Sequence, residues 1–481
     1  MPPYKRHMTT LVWFRQDLRL RDNPALVAAA ARGPVVPIFI LDDTDKTWGP
    51  GAASRWWLHH SLGALRQELG TLSFYRGDPK KLLPKLAAEA KVSAVYWNRC
   101  YDAHAVARDT AIKNRLKKDG IEAQSFNAAL LHEPWEIKTG GGGPYKVFTP
   151  YWRAAQAREF AAPVAKPKAI DAHRLGSSEK LEDWDLTPTK PDWAKGFDQY
   201  WTPGEQGALE RIENFLGGDL VSYGEMRDRP DKPSTSRLSP HLHFGEISPR
   251  QIYARLQSDL DSKATQSGAT KFLSEVGWRE FAHHVLYHFP TFPDENWRDA
   301  FDAYPWLDSK KDLKAWQRGL TGYPVVDAGM RELWHTGFMH NRVRMITASF
   351  LIKHLRLDWR LGESWFWDTL VDADLANNAF GWQWVAGSGA DASPYFRIFN
   401  PMTQGEKFDP NGDYVRRWCP ELSKLPDKFI HAPFKADADV LKEAGIALGK
   451  DYPKPIVDHD EARKAALEGY KKVRKSVKTS G

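Results

Sequence analysis

The sequence predicts an α/β domain with a parallel, Rossmann-like sheet, followed by a large all-helical domain. Four short apolar runs, rich in β-branched and aromatic residues, occur before residue 131: TLVWF (10–14), VVPIFIL (35–41), TLSFY (71–75) and VSAVYW (92–97). Helical patterns such as SRWWLHHSLGALRQEL separate them, and strands that alternate with helices favour a parallel sheet. Beyond residue 205, stretches such as GALERIENFL, DAGMRELWHTGF and NRVRMITASFLIKHLRL have the periodicity of amphipathic helices.

Between these parts, residues 132–205 are rich in Pro, Lys, Asp and Trp and lack a clear period, as in APVAKPKAID and WDLTPTKPDW. Such a composition is typical of a long connecting segment. The glycines of KTGGGGPYK (138–146) follow no predicted strand and precede no phosphate-binding G-K-[ST], so they predict a loop. We therefore expect an α/β domain at 8–131, a linker at 132–205, a helical domain at 206–475 and a basic tail at 476–481.

Composition excludes several classes of protein. Only Cys100 and Cys419 occur, far apart, which predicts neither a disulfide framework nor a cysteine metal site and favours a reducing cytoplasm. No apolar run approaches the length of a membrane span and no signal sequence is recognisable, so we expect a soluble protein without a membrane partner. Lys plus Arg exceed Asp plus Glu by 68 to 61, giving a formal charge of +7, which permits a polyanionic partner.

Tryptophan is unusually frequent, with 21 residues against 7 methionines. Because tryptophan is bulky and hard to bury completely, core packing alone is a weak explanation for so many. Two of them stand in GWQW, where Trp382 and Trp384 are separated by one residue and cannot share one face of a helix. The spacing predicts that the two indoles serve different surroundings.

The segment TSRLSPHLHFGEISP (235–249) contains two Ser-Pro pairs. Ser239 and Ser248 both have the pattern of a helix N-cap followed by proline at the first helical position. The cluster also offers hydroxyl and backbone N–H groups at a helix start, where a phosphate or pyrophosphate binds in many proteins. Both interpretations stay open from these residues alone.

A polar set follows in MHNRVRM (339–345) and LVDADLANN (370–378). Asn341, Arg344 and Met345 share one helical face, and an inward-facing arginine needs an acid, for which Asp372 and Asp374 are candidates. If the second segment is helical, Asp374, Asn378 and Trp382 also share a face. A buried ion pair that fixes helix register explains at least one aspartate, whereas the combined Asn, Arg and Asp set favours a planar polar ligand.

Several arginines stand beside aromatic residues, in SYGEMRDR, GWREF, HNRVR and PYFRIF: Arg227, Arg279, Arg342 and Arg397. Each alone is explained by solvation or by stacking on a neighbour. As a set they are typical of phosphate contacts interleaved with stacking surfaces.

Taken in order, TSRLS, GWREF, TGYPVVDAGMREL, MHNRVRM, DADLANN, GWQW and PYFRIFNP closely resemble the DNA photolyase and cryptochrome family. LVWFRQDLRLRDNPAL, PYKVFTPYWRA and NPMTQGEKFDP extend the resemblance from about residue 9 to residue 470. It implies a helical domain that holds folded FAD, with Asn378 near the flavin N5. The flavin contacts implied are Tyr223, Thr235, Ser236, Leu238, Ser239, Asn341, Arg344, Asp372, Asp374 and Asn378.

The pocket residues resemble those of bacterial-type photolyases for cyclobutane pyrimidine dimers. Members that repair (6-4) photoproducts carry histidines as acid and base at the positions of Asn341 and Met345. Members of the single-strand-preferring cryptochrome-DASH type usually lack Met345 and Trp384. The resemblance therefore implies that the substrate is double-stranded DNA and that its lesion is contacted by Glu275, Trp278, Asn341, Met345 and Trp384.

The same resemblance implies light-driven repair, in which photoexcited FADH⁻ transfers an electron to a flipped-out dimer. The implied catalytic residues are Glu275, Asn341 and Asn378, and an electron relay would run through Trp382, Trp359 and Trp306. Structural packing is the alternative for each indole taken singly. Arg227, Arg342 and Arg397, with Lys407 as a further candidate, would grip phosphates.

A light-collecting second chromophore is also implied. The Asn-Glu pair that some folate-binding members use is His104-Ala105 here, so we expect a reduced folate, 5,10-methenyltetrahydrofolate, held by other contacts, with a deazaflavin as the alternative. We expect no metal, and a monomer in a bacterial cytoplasm, associated with the nucleoid when bound to DNA. The rival function is that of a cryptochrome-type blue-light photoreceptor, which binds FAD without repairing DNA.

Overall fold

A computed structural model describes residues 9–392 and 396–479 of the chain, with side chains described up to residue 475. Pro394 and Tyr395 of the PYFRIF motif and the predicted basic tail at 476–481 lie outside the residues whose side chains are described. None of the described helices is long and apolar enough to cross a membrane.

The sheet has five parallel strands in the order β3-β2-β1-β4-β5. β1 to β4 confirm the four predicted runs: β1, β2 and β4 are buried along their whole length, as expected for inner strands of a parallel sheet, and the edge strand β3 is buried except for Arg76. β5, EAQSF, was not predicted, because an edge strand with mixed polarity gives no clear hydrophobic pattern. The strands are β1 (Thr10–Phe14), β2 (Val35–Leu41), β3 (Ser73–Arg76), β4 (Ala94–Asn98) and β5 (Glu122–Phe126).

Helices connect the strands and make up most of the remaining chain. In chain order they are α1 (Pro24–Arg32), α2 (Ala52–Leu69), α3 (Pro79–Glu89), α4 (Ala103–Lys118), α5 (Phe148–Gln156), α6 (Glu205–Asn214), α7 (Tyr223–Met226), α8 (Ser239–His243), α9 (Pro249–Asp261), α10 (Gln266–His288), α11 (Lys310–Gln317), α12 (Pro324–Thr336), α13 (Asn341–Ser349), α14 (Trp359–Thr369), α15 (Leu375–Ala386), α16 (Pro401–Phe408), α17 (Asp413–Trp418), α18 (Ala438–Glu443) and α19 (His459–Thr479). Single π-helical turns follow α6 at Phe215–Asp219 and α13 at Phe350–His354.

Local sequence explains where several helices begin. The Asn23 and Asp102 side chains accept hydrogen bonds from the first turns of α1 and α4. Ser248 and Gln251 form a reciprocal capping box at α9, which confirms the N-cap interpretation of Ser248. The same interpretation of Ser239 is wrong, because Leu238 is the N-cap residue and Ser239 is already the first helical residue of α8.

The chain divides into two compact units. The first comprises Met1–Val221 and Ser236–Pro290, and the second comprises Ser222–Thr235 and Thr291–Gly481. These units do not coincide with the predicted domain boundaries at 131 and 205, which stay a prediction. The predicted linker contains α5 and two short 3-10 helices, Leu181–Trp184 and Phe197–Gln199, and KTGGGGPYK forms the predicted loop.

Each unit has its own core. In the first unit, side chains from β1, β2, β4, α3 and α4 pack together, and the buried Trp13 and Trp97 rings meet edge to face at 6.1 Å. In the second unit, α12, α13, α14, α15 and α17 contribute side chains to a larger cluster. Several tryptophans are fully buried: Trp13, Trp57, Trp97, Trp316 and Trp359. Core packing therefore explains more of the tryptophan excess than the composition suggested.

Candidate functional site

The polar centre of the second unit is an ion pair between α13 and the segment before α15. Arg344 Nη2 donates to both carboxylate oxygens of Asp372, at 3.1 and 2.8 Å, and Nε donates to the Met339 carbonyl at 2.7 Å. Only 2% of the Asp372 side chain is exposed. Of the two acids that the sequence offered to this arginine, the structure selects Asp372, because Asp374 caps α15 through a hydrogen bond from the Asn377 N–H.

Asn378 and Trp382 lie one turn apart on α15 and are both buried. The Asn378 amide nitrogen donates to the Glu363 carbonyl at 3.1 Å, and among the described residues its side-chain oxygen accepts no hydrogen bond. The buried Nε1 of Trp382 also has no partner among them. On the predicted shared face of α15, the Asn378 side-chain oxygen and the Trp382 N–H therefore make no hydrogen bond with the described residues.

Two α14 residues that sequence reasoning missed support this face. A Cβ atom at Gly362 would overlap the Trp382 ring, so only glycine lets the two helices approach so closely. Glu363 is almost fully buried, and its Oε1 has no partner among the described residues. Burial raises the pKa of this carboxyl well above its usual value, because water no longer solvates the charge. Neither residue carries a local sequence signal, since both act through tertiary contacts.

Gln383 separates the two tryptophans of GWQW and is fully buried. Its amide nitrogen donates to the carbonyls of Phe292 and Glu295, at 2.5 and 2.7 Å. Its oxygen accepts from the Trp297 N–H at 2.9 Å and from the Ser388 hydroxyl at 3.2 Å. Gln383 therefore ties α15 to the chain before and after it, while Trp382 is buried and Trp384 is partly exposed.

Replacing Gln383 with Leu is expected to lower the free energy of unfolding by about 2–4 kcal/mol, since several buried polar groups would lose their partner. Urea denaturation followed by circular dichroism measures the change. Gln317→Leu is the matched control, because Gln317 is half-buried on α11 and its side chain makes no hydrogen bond with described residues. Equal midpoints for the two variants would contradict the assignment.

The three tryptophans of the predicted relay have different surroundings. Trp359 is fully buried and its Nε1 donates to Asn296 at 3.0 Å. Trp306 is half-buried, with its ring 4.5 Å from that of Tyr304. The aromatic rings in contact with Trp382 are Phe366 at 5.0 Å and Trp316 at 6.2 Å. The relay stays a prediction, with burial decreasing from Trp359 to Trp306.

Two of the predicted phosphate-binding arginines share an acid that sequence reasoning missed. Arg342 Nη2 lies 2.7 Å from one carboxylate oxygen of Asp228, and Arg227 Nε lies 3.8 Å from the other. Arg342 also lies 4.5 Å over the Phe408 ring and 3.7 Å from the Met345 sulfur. Arg397 is exposed and forms no ion pair with the described residues.

In the first unit, Glu275 and Trp278 lie three residues apart on α10 and are both half-buried. The Trp278 ring stacks on Phe148 of α5, with centroids 3.7 Å apart and planes 11° from parallel. Lys271 lies 3.4 Å from the Glu275 carboxylate. Arg279, which the sequence grouped with the phosphate-binding arginines, is instead mostly buried and donates to the Ala129 carbonyl.

The predicted FAD contacts between residues 223 and 239 are divided between the two units. Tyr223 and Thr235 belong to the second unit, where Tyr223 begins α7 and its ring lies 5.6 Å from the Arg227 guanidinium. Ser236, Leu238 and Ser239 belong to the first unit. Ser236 Oγ accepts from the Leu238 N–H at 3.4 Å, and Ser239 is exposed at the start of α8.

A family model described as DNA photolyase matches residues 10–168, and one described as the FAD binding domain of DNA photolyase matches residues 272–472. A deoxyribodipyrimidine photo-lyase of Agrobacterium fabrum is 55% identical over 475 residues, which cover 97% of this chain and 98% of that protein. The chain belongs to the DNA photolyase family. The family, the fold class and the class of enzyme expected from the sequence are thereby confirmed.

Two further comparisons give the range of this similarity. A bacterial class III photolyase of Agrobacterium tumefaciens has a crystal structure that superposes with a TM-score of 0.94, at 54% identity and 98% coverage of both chains. Cryptochrome-1 of Arabidopsis thaliana is 39% identical over 472 residues, which cover 94% of this chain and 69% of that protein. The relatives of this chain thus include proteins named photolyase and proteins named cryptochrome.

The side chains of the second unit fit the cofactor of a FAD-binding domain. An isoalloxazine ring carries both hydrogen-bond donors and acceptors along its edge, and Arg344, Asp372 and Asn378 carry donor and acceptor groups of the complementary kind. The buried Trp382 Nε1 and Glu363 Oε1, which lack partners among the described residues, are further polar atoms that a bound heterocycle or water can satisfy. By contrast, the described residues contain no group of three or more His, Cys, Asp or Glu side chains placed to hold a metal ion.

Proposed function

We propose that this photolyase-family protein repairs cyclobutane pyrimidine dimers in double-stranded DNA when illuminated with blue or near-ultraviolet light. The observation that carries the proposal is the face of α10 on which Glu275 and Trp278 lie three residues apart. An indole held flat against Phe148 offers a stacking surface, and a carboxyl beside it can hydrogen-bond to a base edge. This combination suits a base that has left the helix, rather than a regular base pair.

FAD is the proposed cofactor, and it supplies the photoexcited electron donor when bound in its reduced form. Arg344, Asp372 and Asn378 are proposed to bind and orient its ring system. The Asn378 side chain would also tune the electronic properties of the flavin through the amide oxygen that makes no hydrogen bond with the described residues. The remaining residues proposed to contact FAD are Tyr223, Thr235, Ser236, Leu238, Ser239, Asn341 and Asp374.

The lesion is proposed to be bound by stacking and by hydrogen bonds. Trp278 and Trp384 would pack against the flipped bases, each contributing roughly 1–3 kcal/mol, which offsets an unstacking cost of a few kcal/mol. Glu275 and Asn341 would hydrogen-bond to the base edges and stabilise the charge that develops on the dimer during ring opening. Met345 would pack against the lesion, beside the arginine that its sulfur already contacts.

Trp382, Trp359 and Trp306 are proposed to carry electrons between the protein surface and the cofactor site. The decreasing burial from Trp359 to Trp306 supports this order, since an electron must enter from a residue that solvent reductants can reach. Such a relay would keep the cofactor reduced without exposing it.

The lesion type tests the proposed function. Matched duplexes that contain a cyclobutane dimer, a (6-4) photoproduct or no lesion are illuminated with pre-reduced protein, and the remaining lesion is quantified by chromatography. We expect loss of the cyclobutane dimer only, because Asn341 and Met345 cannot act as the acid and base that (6-4) repair needs. Loss of neither lesion would favour the second candidate, a blue-light photoreceptor, which the 39% identity to Arabidopsis thaliana cryptochrome-1 supports.

Arg227, Arg342 and Arg397 are proposed to contact phosphates around the lesion. Three such contacts release counterions on binding, so the logarithm of the affinity should fall against the logarithm of the salt concentration with a slope of about −3. Fluorescence anisotropy with dimer-containing duplex in the dark measures this slope. An affinity that does not change with salt would contradict the assignment.

The second chromophore is proposed to be 5,10-methenyltetrahydrofolate, with a deazaflavin as the alternative. The position that carries the Asn-Glu pair in some folate-binding relatives is occupied here by His104 and Ala105, and the His104 ring lies 3.5 Å from Asp42. The contacts to a folate must therefore come from other residues. Chromatography of the chromophores extracted from purified protein distinguishes the two compounds.

We further propose that the protein acts as a monomer in the bacterial cytoplasm, on the DNA of the nucleoid.

A further inference from the structure

Asp228 lies in the turn that directly follows α7 and pairs with two arginines from different parts of the second unit. Arg342 approaches its Oδ2 at 2.7 Å and Arg227 approaches its Oδ1 at 3.8 Å. The Asp228 side chain remains 32% exposed, and those of Arg342 and Arg227 are 20% and 14% exposed. One partly exposed carboxylate therefore pairs with two guanidinium groups.

The arrangement matches the way in which proteins bind a phosphodiester. Two guanidinium groups converge on the two oxygens of one anion, and a phosphate presents two equivalent oxygens with a similar charge. Aromatic rings also contact both arginines, since Arg342 lies 4.5 Å over Phe408 and Arg227 lies 5.6 Å from Tyr223. Lys407 adds a further cation 5.1 Å from the Phe408 ring.

We propose that Asp228 takes the place of a DNA phosphate in the free protein and competes with the DNA backbone for Arg227 and Arg342. The inference rests on the proposed function, in which these arginines contact phosphates. Binding of any duplex must then displace the carboxylate toward solvent, which its partial exposure permits. The competition weakens the contacts between these arginines and the phosphates of any DNA sequence. The protein therefore dissociates readily from undamaged DNA and stays bound at a lesion, where the flipped bases add stacking contacts.

Replacing Asp228 with Asn removes the competing charge while it preserves the shape of the side chain. Because a partly exposed ion pair is a weak interaction, we expect Asp228→Asn to raise the affinity for undamaged duplex and for dimer-containing duplex by about two- to five-fold each. The preference for damaged over undamaged DNA should stay unchanged, and dissociation from undamaged DNA should slow. Anisotropy and stopped-flow measurements in the dark, at one salt concentration, give these values.

Glu421→Gln is the matched control. Glu421 pairs with Arg331 in the same unit at the same 2.7 Å distance, and the side chains are 25% and 19% exposed. The control removes the same charge from a site with no proposed DNA contact, so we expect no change in affinity. If Asp228→Asn binds DNA no more tightly than Glu421→Gln, or binds more weakly than the natural protein, the inference is wrong.

A double substitution separates competition from a general effect of charge. In an Arg342→Gln background, Asp228→Asn should gain clearly less affinity than it gains beside Arg342, because the nearer of the two arginines for which the anions compete is absent. An undiminished gain would overturn the inference. Dimer preference and photorepair by the natural protein are measured in parallel. If the natural protein shows neither, the proposed function itself is wrong. If it repairs dimers but Asp228→Asn and Glu421→Gln bind DNA with equal affinity, only the role of Asp228 is rejected.

Discussion

Replacing Arg344 with Gln is expected to remove most of the FAD from the purified protein. Arg344 holds the buried Asp372 carboxylate through two hydrogen bonds and is proposed to bind the cofactor directly. A lost hydrogen bond to a charged group corresponds to roughly 1.5–3 kcal/mol, so FAD binding should weaken about ten- to hundred-fold. The visible absorbance of flavin per protein chain, and titration of the flavin-free protein with FAD, measure the loss.

The effect must be separated from simple unfolding, because removal of Arg344 also removes the cation that pairs with the buried Asp372 carboxylate. Arg331→Gln breaks a similar ion pair, with Glu421 at 2.7 Å, in the same unit. We expect Arg331→Gln to retain FAD, and Arg344→Lys to bind it at an intermediate level, since Lys keeps the charge but not the two-pronged geometry. Full flavin content in Arg344→Gln, with an unchanged circular dichroism spectrum, would exclude Arg344 from the cofactor site.

Replacing Trp306 with Phe is expected to slow photoreduction of the oxidised cofactor by more than about ten-fold, a barrier increase of roughly 1.4 kcal/mol or more. Trp306 is the half-buried member of the proposed relay, and a phenyl ring is much harder to oxidise than an indole. Repair by chemically pre-reduced protein should stay close to the natural rate, since it does not need the relay. Absorbance changes during illumination with an external reductant measure the first rate, and loss of dimer measures the second.

Trp334→Phe is the control for this substitution. Trp334 is 49% exposed and stacks on Trp365 in the same unit, but it has no place in the proposed relay. Photoreduction should therefore continue at the natural rate in Trp334→Phe. Equal photoreduction by Trp306→Phe and the natural protein would show that electrons enter by another route.

The parts of the fold that the sequence predicted are those in which local pattern and burial agree. β1, β2 and β4 are mostly apolar because inner strands of a parallel sheet are covered on both faces, and β3, although it lies at an edge, contributes the buried Phe74 and Tyr75. β5 was not predicted because most of its side chains are polar and only Ala123 is buried. The N-cap of α8 was wrongly assigned to Ser239, because Leu238 holds that position and makes no side-chain capping bond. Capping patterns predict a helix start well only where the side chain makes the capping bond, as Ser248 does.

The candidate site shows a similar limit. Sequence spacing brought Arg344, Asp372 and Asn378 into one group, and the structure places the Arg344–Asp372 ion pair and the buried Asn378 in the second unit. The sequence alone did not show whether Asp372 or Asp374 pairs with Arg344, because both stand at a spacing that allows an ion pair with an arginine on a neighbouring helix. Asp228 was missed since 114 residues separate it from Arg342, and no local pattern reports such a pair.

Gly362 and Gln383 were missed for a related reason. The need for glycine at 362 arises only when the Trp382 ring packs against α14, and Gln383 bonds to backbone groups more than 85 residues away. Tertiary hydrogen bonds of this kind leave no periodic trace in the sequence. The family resemblance supplied chemical roles for the neighbouring tryptophans, whereas the structure supplied the residues that hold them in position.

Light-dependent loss of dimers is the most direct test of the proposed repair activity. Pre-reduced protein is mixed with an excess of duplex that contains one cyclobutane thymine dimer per strand, and equal samples are kept in the dark or illuminated with blue light. We expect the dimer to disappear and the base absorbance to return only in the illuminated sample, over several turnovers. Binding of the damaged duplex without any light-dependent restoration of thymines would contradict it.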